Sequence, residues 1–170
     1  MAPVCFQYGV QFARLLTPSV NVVAVDVDDM KLSVAKQLGA DVIVNSKTED
    51  AVEKVKEITD NEGSQGIVDF VGADVTLAQA YSMGGRQSKL VVVGLAGGTL
   101  KFTAGLINEL DVTTSNWGSI SELSEVLFLA QKGKIQTSVK KIRFGEMNRT
   151  FEDLRAGKIE GRAVLLPDKC

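Results

Sequence analysis

The sequence predicts an α/β fold with a doubly wound parallel sheet, and three observations carry that prediction. Short apolar runs rich in β-branched residues recur along the chain, at 22–25 (VVAV), 42–44 (VIV), 67–71 (IVDFV) and 90–93 (LVVV). Runs of this kind fit strands buried on both faces. Helical patterns of about ten to fifteen residues separate them, as a parallel sheet with right-handed crossovers requires. The first run ends in a carboxylate, Asp26, at the strand edge where ligands sit in such sheets.

Each element follows from local chemistry. Val4 to Leu16 reads as a helix: Phe6, Val10, Ala13 and Leu16 (or Leu15) recur at helical spacing, and Pro18 lies just beyond. The strand to Asp26 comes next. Asp28 and Asp29 suit a helix N-terminus, Leu32, Ala35 and Leu38 form its apolar stripe, and Gly39 stops it. Ala40 to Asn45 is a second strand, and Ser46 with Glu49 has capping-box spacing before a helix whose inner face is Val52, Val55 and Ile58. A turn at Gly63 to Gly66 leads to a strand over Ile67 to Val71. A short helix with Leu77, Ala80 and Tyr81 then breaks at Gly84-Gly85.

Lys89 to Leu95 is the fourth strand and runs into a turn at Gly94, Gly97 and Gly98; Leu110 to Trp117 is the fifth. Ser119 and Glu122 repeat the capping-box spacing ahead of the stripe Leu123, Val126, Leu127 and Ala130. Val139 to Phe144 is a strand, Glu146 to Ala156 a helix stopped by Gly157, and Gly161 to Leu166 a last strand. The whole is one domain, 1–170.

Asp26 has two readings. It accepts hydrogen bonds from the hydroxyls of an adenosine ribose, or it caps the helix that follows. The first favours NAD over NADP, because a carboxylate repels a 2′-phosphate. Small residues in the turns at Phe70-Val71-Gly72 and Val93-Gly94-Leu95 would let backbone approach a flat ring.

The totals exclude several classes. A net charge of −2 argues against a nucleic-acid or membrane-surface partner held by bulk electrostatics. No apolar run approaches the ~20 residues that span a bilayer. No charged segment leads into an apolar one at the start, so no signal peptide is expected. Cys5 and Cys170 read as free thiols, which places the chain in the cytoplasm. There is no histidine at all, so neither a catalytic nor a structural zinc finds its usual ligands, and no imidazole moves a proton.

Several stretches in order resemble the cofactor domain of zinc-type medium-chain alcohol dehydrogenases: TPSVNVVAVDVDDMKLSVAKQLGAD, GIVDFVGADVTLAQA, KLVVVGLAGG, NWGSISELSEVLFLAQKGKI and FEDLRAGKIEGRAVLLP. The resemblance runs from Tyr8 to Pro167 and implies a Rossmann-type fold, NAD as cofactor and alcohol oxidation in the whole enzyme. It implies that Asp26 binds the adenosine ribose and that Lys31 contacts the same ribose. It sets Phe70, Val71 and Gly72 beside the riboses, the backbone of Val93, Gly94 and Leu95 at the carboxamide, and Asn116 and Trp117 at the nicotinamide. Arg162 would pair with the pyrophosphate. A dimer through the sheet edge near Leu110 to Trp117 is implied as well.

Two departures qualify the resemblance. Zinc belongs to the family, but this chain has none of its ligands and no catalytic zinc domain. The family also places a strand and G-x-G-x-x-G before the first helix; none of those glycines is evident here, and Gly9 lies within the helix. The missing strand is the central one of the order 3-2-1-4-5-6, so the domain is expected to be incomplete, with two sheet halves exposing unpaired backbone. Ala2 to Phe6 could pair as a stub of it. The chain is therefore expected to be the NAD(H)-binding portion of an alcohol dehydrogenase, not catalytic alone. The alternatives are a non-catalytic NAD(H)-binding module or subunit and a non-functional remnant.

Overall fold

The structure is a computed structural model and describes residues 3–103, 109–159 and 161–167. Helix α1 (Pro3–Leu16) leads through a short loop to β1 (Val23–Asp26), α2 (Asp29–Gln37), β2 (Val42–Asn45) and α3 (Ala51–Ile58). Strand β3 (Ser64–Asp69), α4 (Asp74–Met83), β4 (Gly84–Val92) and β5 (Asp111–Thr114) follow. The chain closes with α5 (Ile120–Gln131), β6 (Val139–Ile142), a 3-10 turn at Phe144–Glu146, α6 (Met147–Arg155) and β7 (Arg162–Leu165).

Every strand pair is parallel. β1 pairs with β2, β3-β4-β5 form a second sheet in that order, and β6 pairs with β7. Set against the doubly wound order 3-2-1-4-5-6, the first two groups supply every position except the central one. The expected split is what the structure shows: among the described residues no strand joins β1 to β3. Helices hold the halves together instead. Val10 of α1 packs on Val22 and Ala24, and with Leu32, Ala35 and Ala40 builds one core. On the other side Val23 and Val25 of β1 and Ile67 of β3 pack on a second core of Val44, Ala51, Val55 and Met83.

Several boundaries differ from the sequence reading, each for a local reason. Residues 3–6 are helical, so they do not form a strand stub. Asp50, and not Ser46, caps α3: its carboxylate accepts from the Val52 and Glu53 amides at 2.9 and 3.2 Å. Strand β3 begins at Ser64, within the expected Gly63–Gly66 turn, and stops at Asp69, because the Asp69 side chain captures the next amides and turns the chain. β4 likewise starts at Gly84 and ends at Val92, and β5 ends at Thr114. The box at Ser119 and Glu122 forms as expected. Helix α5 buries none of its residues, however, so its stripe of Leu123, Val126, Leu127 and Ala130 does not face a core among the described residues. The side chain of Cys5 and all of Cys170 lie outside the described residues.

A polar clamp fixes the C-terminal end of α1. Arg14 donates to the Gly39 carbonyl from Nε and Nη2 at 3.0 and 2.9 Å, to the Val20 carbonyl at 3.0 Å, and to Asp41 Oδ2. The same Asp41 oxygen accepts the Val22 amide at 2.7 Å. That amide bond first, and the Arg14 guanidinium second, hold the Asp41 carboxyl below its ordinary value. A carboxyl lowered in the folded state stabilises it above the unfolded pKa of about 4, and that contribution is lost as pH falls through the folded value. The expected outcome is that Asp41→Asn melts below the parent at neutral pH and that the gap closes below about pH 4. Melting curves across that range check it; a gap that does not change with pH would overturn the assignment.

Candidate functional site

Parallel register brings three turns to one edge of the sheet. Asp69 is level with Val92, and Val92 with Thr114, so the chain leaves β3, β4 and β5 at neighbouring points. The C-terminal tip of β1, level with Asn45 of β2, is Asp26. Of the predicted residues, Asp26, Phe70, Val71, Gly72, Val93, Gly94, Leu95, Asn116 and Trp117 all lie at or just beyond strand ends on this side. Lys31 joins them from the first turn of α2. Arg162 is the exception: it opens β7 in the third sheet, its side chain is exposed, and no strand pairing ties it to this edge.

Asp26 is not the helix cap. That role belongs to Asp28, whose Oδ1 accepts the Met30 amide at 3.0 Å. Asp26 Oδ1 accepts the amides of Val27 and Asp28 at 2.7 and 3.0 Å, which fixes the turn after β1. Its Oδ2 has no hydrogen-bond partner among the described residues. The side chain is 18% exposed, and Lys31 Nζ stands 3.7 Å from Oδ1 and 3.9 Å from Asp28 Oδ2. Two amides thus orient the carboxylate from one side.

The second and third turns are locked backbone to backbone. The Val93 and Gly94 amides both donate to the Asp69 carbonyl, at 2.8 and 3.0 Å, Ala96 donates to Val71 at 3.0 Å, and Gly98 donates to Gly72 at 2.8 Å. A Cβ on Gly94 would lie 2.0 Å from the Val71 carbonyl carbon, and one on Gly72, at φ +70°, 2.4 Å from the Gly94 oxygen. These glycines therefore serve turn-to-turn contact. The expected backbone contact with a carboxamide narrows accordingly: the Val93 and Gly94 amides are already committed. The Leu95 amide and Val93 carbonyl carry no partner among the described residues.

Asp69, which the sequence reading passed over, shapes this edge. It is buried; Oδ1 accepts the Val71 and Gly72 amides at 2.8 and 3.0 Å, and Thr76 Oγ1 donates to Oδ2 at 2.8 Å. One side chain thus shapes the turn and ties it to α4. The signal was present in D-F-V-G-A-D-V-T, an Asp just before a Gly turn with a Thr one helical step beyond. The ring of Phe70 lies against α1: a Cβ built on Gly9 would lie 2.4 Å from Cζ. That is the close helix packing that the third glycine of G-x-G-x-x-G permits. Counting back by that spacing places Phe6 and Val4 where the other two glycines would stand.

Trp117 is 99% exposed and sits at φ +65°. A bulky residue in the left-handed region is a genuine outlier, the kind of strain that collects at functional loops. Two surface hollows lie away from this edge, one against Leu16 and Phe128 and the other against Gln7, Leu38 and Gln136.

Fold and edge together define a Rossmann-type α/β domain of the class that binds dinucleotides. The chain belongs to the zinc-binding dehydrogenase family, whose sequence pattern matches residues 7–132. It is 32% identical over 162 residues to an NAD-dependent alcohol dehydrogenase of Sulfurisphaera tokodaii, covering 94% of this chain and 46% of that protein. It is 36% identical over 160 residues to an alcohol dehydrogenase of Geobacillus stearothermophilus, covering 92% and 46%. The crystal structure of the alcohol dehydrogenase of Aeropyrum pernix superposes with a TM-score of 0.84 at 36% identity, over 93% of this chain and 46% of that one. The chain thus spans about half the length of the curated relatives it matches.

Proposed function

We propose that this chain is the NAD(H)-binding portion of an alcohol dehydrogenase, and that the group which polarises the alcohol is supplied from outside residues 1–170. The observation that carries the reading is Asp26: a carboxylate at the tip of β1, on the edge of the two locked turns, with one oxygen free. Bound there, NAD would accept the hydride from the alcohol carbon. Asp26 Oδ2 would accept from the adenosine ribose hydroxyls, with Lys31 beside it. The Leu95 amide and Val93 carbonyl would meet the carboxamide, and Trp117 with Asn116 would border the nicotinamide. Arg162 would have to reach the pyrophosphate from the third sheet.

Zinc does not fit this chain's own donors. The sequence has no histidine, and among the described residues no group of three or more His, Cys, Asp or Glu could hold a metal. We also propose that the outer edge of β5 is the pairing surface of a dimer and that the chain works in the cytoplasm. No helix among the described residues is long and apolar enough to cross a membrane.

Fluorescence tests the reading. Excitation of Trp117, the single tryptophan, during titration with NADH should give saturable energy transfer at micromolar NADH. The same sample, given zinc, NAD and a primary alcohol, should form NADH no faster than buffer does. No transfer from a folded sample would remove the cofactor site, and zinc-dependent turnover would remove the claim that the chain does not catalyse alone.

A further inference from the structure

A buried acid lies under the two locked turns, and each hydrogen bond of its side chain runs toward it. The Val71 and Gly72 amides donate to Asp69 Oδ1 at 2.8 and 3.0 Å, and the Thr76 hydroxyl donates to Oδ2 at 2.8 Å. Both oxygens are acceptors, the pattern of an ionised carboxylate. The residue is 7% exposed, and among the described residues no lysine or arginine pairs with it. Its partners are neutral dipoles, which orient the negative charge without cancelling it, and salt screens a buried charge little. The main-chain carbonyl of the same residue accepts the Val93 and Gly94 amides at 2.8 and 3.0 Å, so one residue anchors both turns. Asp74, the other acid of this stretch, is exposed and holds the Thr99 amide at 2.7 Å, where water screens it. Turns of this kind form on asparagine or serine as well as on aspartate. The charge is therefore more than the turn requires.

We propose that Asp69 sets a preference between the two redox forms of the dinucleotide: its buried charge favours the oxidised, cationic nicotinamide ring over the neutral reduced one. This rests on the reading of the edge as an NAD(H) site. The two forms share adenosine, pyrophosphate and riboses and differ at the ring by one positive charge. Repulsion between Asp69 and the pyrophosphate is common to both and cancels in the ratio of their affinities. A ring laid over the turns would be separated from the carboxylate by a hydrogen bond of about 3 Å and a van der Waals contact of about 4 Å. Opposite unit charges about 7 Å apart, at an effective dielectric of about 20, shift a binding ratio by about tenfold or more. The sign is fixed: the carboxylate strengthens oxidised NAD relative to NADH. It thereby favours replacement of NADH by NAD once a hydride has been taken up, and it lowers the potential of the bound couple by about 30 mV for each tenfold.

Calorimetric titration of NAD, NADH and ADP-ribose into the full chain and into Asp69→Asn reads the ratio. The asparagine keeps an acceptor for the Val71 and Gly72 amides, and the Thr76 hydroxyl can donate to the Ala73 carbonyl, 3.1 Å away, so the turn should hold. In this variant NAD is expected to weaken about tenfold relative to NADH, while NADH and ADP-ribose move together. Asp69→Ser, also neutral and also able to accept turn amides, should shift the ratio the same way and serves where the asparagine variant does not fold. Thr76→Ala controls for turn geometry: it removes a hydrogen bond to Asp69 but leaves the charge, so the ratio should stay within about twofold of the parent. An unchanged ratio in the neutral variants, or an equal change in Thr76→Ala, would overturn the proposal. The two ideas part cleanly. A parent that binds neither dinucleotide sinks the cofactor reading and this preference with it, whereas binding of both with a ratio indifferent to Asp69 sinks the preference alone.

Discussion

Gly94→Ala is expected to lower stability by about 3 kcal/mol, or about 8 °C in Tm, and to remove NADH binding with it. The new methyl would stand 2.0 Å from the carbonyl carbon of Val71 and 2.4 Å from its nitrogen, and both are backbone atoms with no rotamer to change. Relief requires the turn after β4 to leave the turn after β3. That movement breaks the Val93 and Gly94 amides from the Asp69 carbonyl and the Ala96 amide from Val71. The Leu95 amide and Val93 carbonyl would no longer lie where a carboxamide could reach them. Gly145→Ala is the control: it has nothing within 4 Å and no positive φ, so its melting temperature should stay within about 2 °C of the parent. Paired thermal melts and NADH titrations decide the matter. A Gly94→Ala protein that melts with the parent would show that the two turns are not in contact.

Asp69→Ala probes the same edge from beneath. It leaves the Val71 and Gly72 amides and the Thr76 hydroxyl without their acceptor in a buried place. A loss of about 2–3 kcal/mol is expected in denaturant melts, whereas Thr76→Ser, which keeps the hydroxyl, should cost less than about 1. Equal losses in the two variants would overturn the role given to Asp69.

What the sequence made legible was the part governed by local pattern. VVAVD ends at an acid, LGA stops a helix at Gly39, and S-I-S-E caps one at Ser119; each depends on neighbours in the chain, and each formed where expected. The split sheet was legible too, since strand order follows from topology and the absent position is a central one. What stayed hidden depends on atoms distant in sequence. Asp69 in IVDFV reads as one more strand residue until its amide partners are seen, and Gly9 reads as a helix flaw until the Phe70 ring is found against it. Arg14 looks like a solvated helix charge, but the carbonyls it binds come from loops at 20 and 39. The apolar stripe of α5 is legible as a period, but periodicity reports amphipathicity and not what covers it.

Asp26→Asn is the change with the largest expected effect on ligand choice. The amide keeps an oxygen where Oδ1 accepts from Val27 and Asp28, so the turn after β1 should hold and the fold with it. What is lost is the charge on the free oxygen. Charge-assisted bonds to two ribose hydroxyls contribute about 3 kcal/mol together, so NADH should bind about 100-fold more weakly. NADPH should respond in the opposite sense. Its 2′-phosphate meets a carboxylate in the parent but a neutral amide in the variant, with Lys31 still 3.7 Å from that side chain's position to favour the anion. The preference for NADH over NADPH should therefore collapse, because one affinity falls while the other rises. Calorimetric titration of both dinucleotides into both proteins reads this directly. If NADH binds the variant as tightly as the parent, the carboxylate does not touch the ribose. If both dinucleotides weaken together, Asp26 shapes the loop without selecting the ligand.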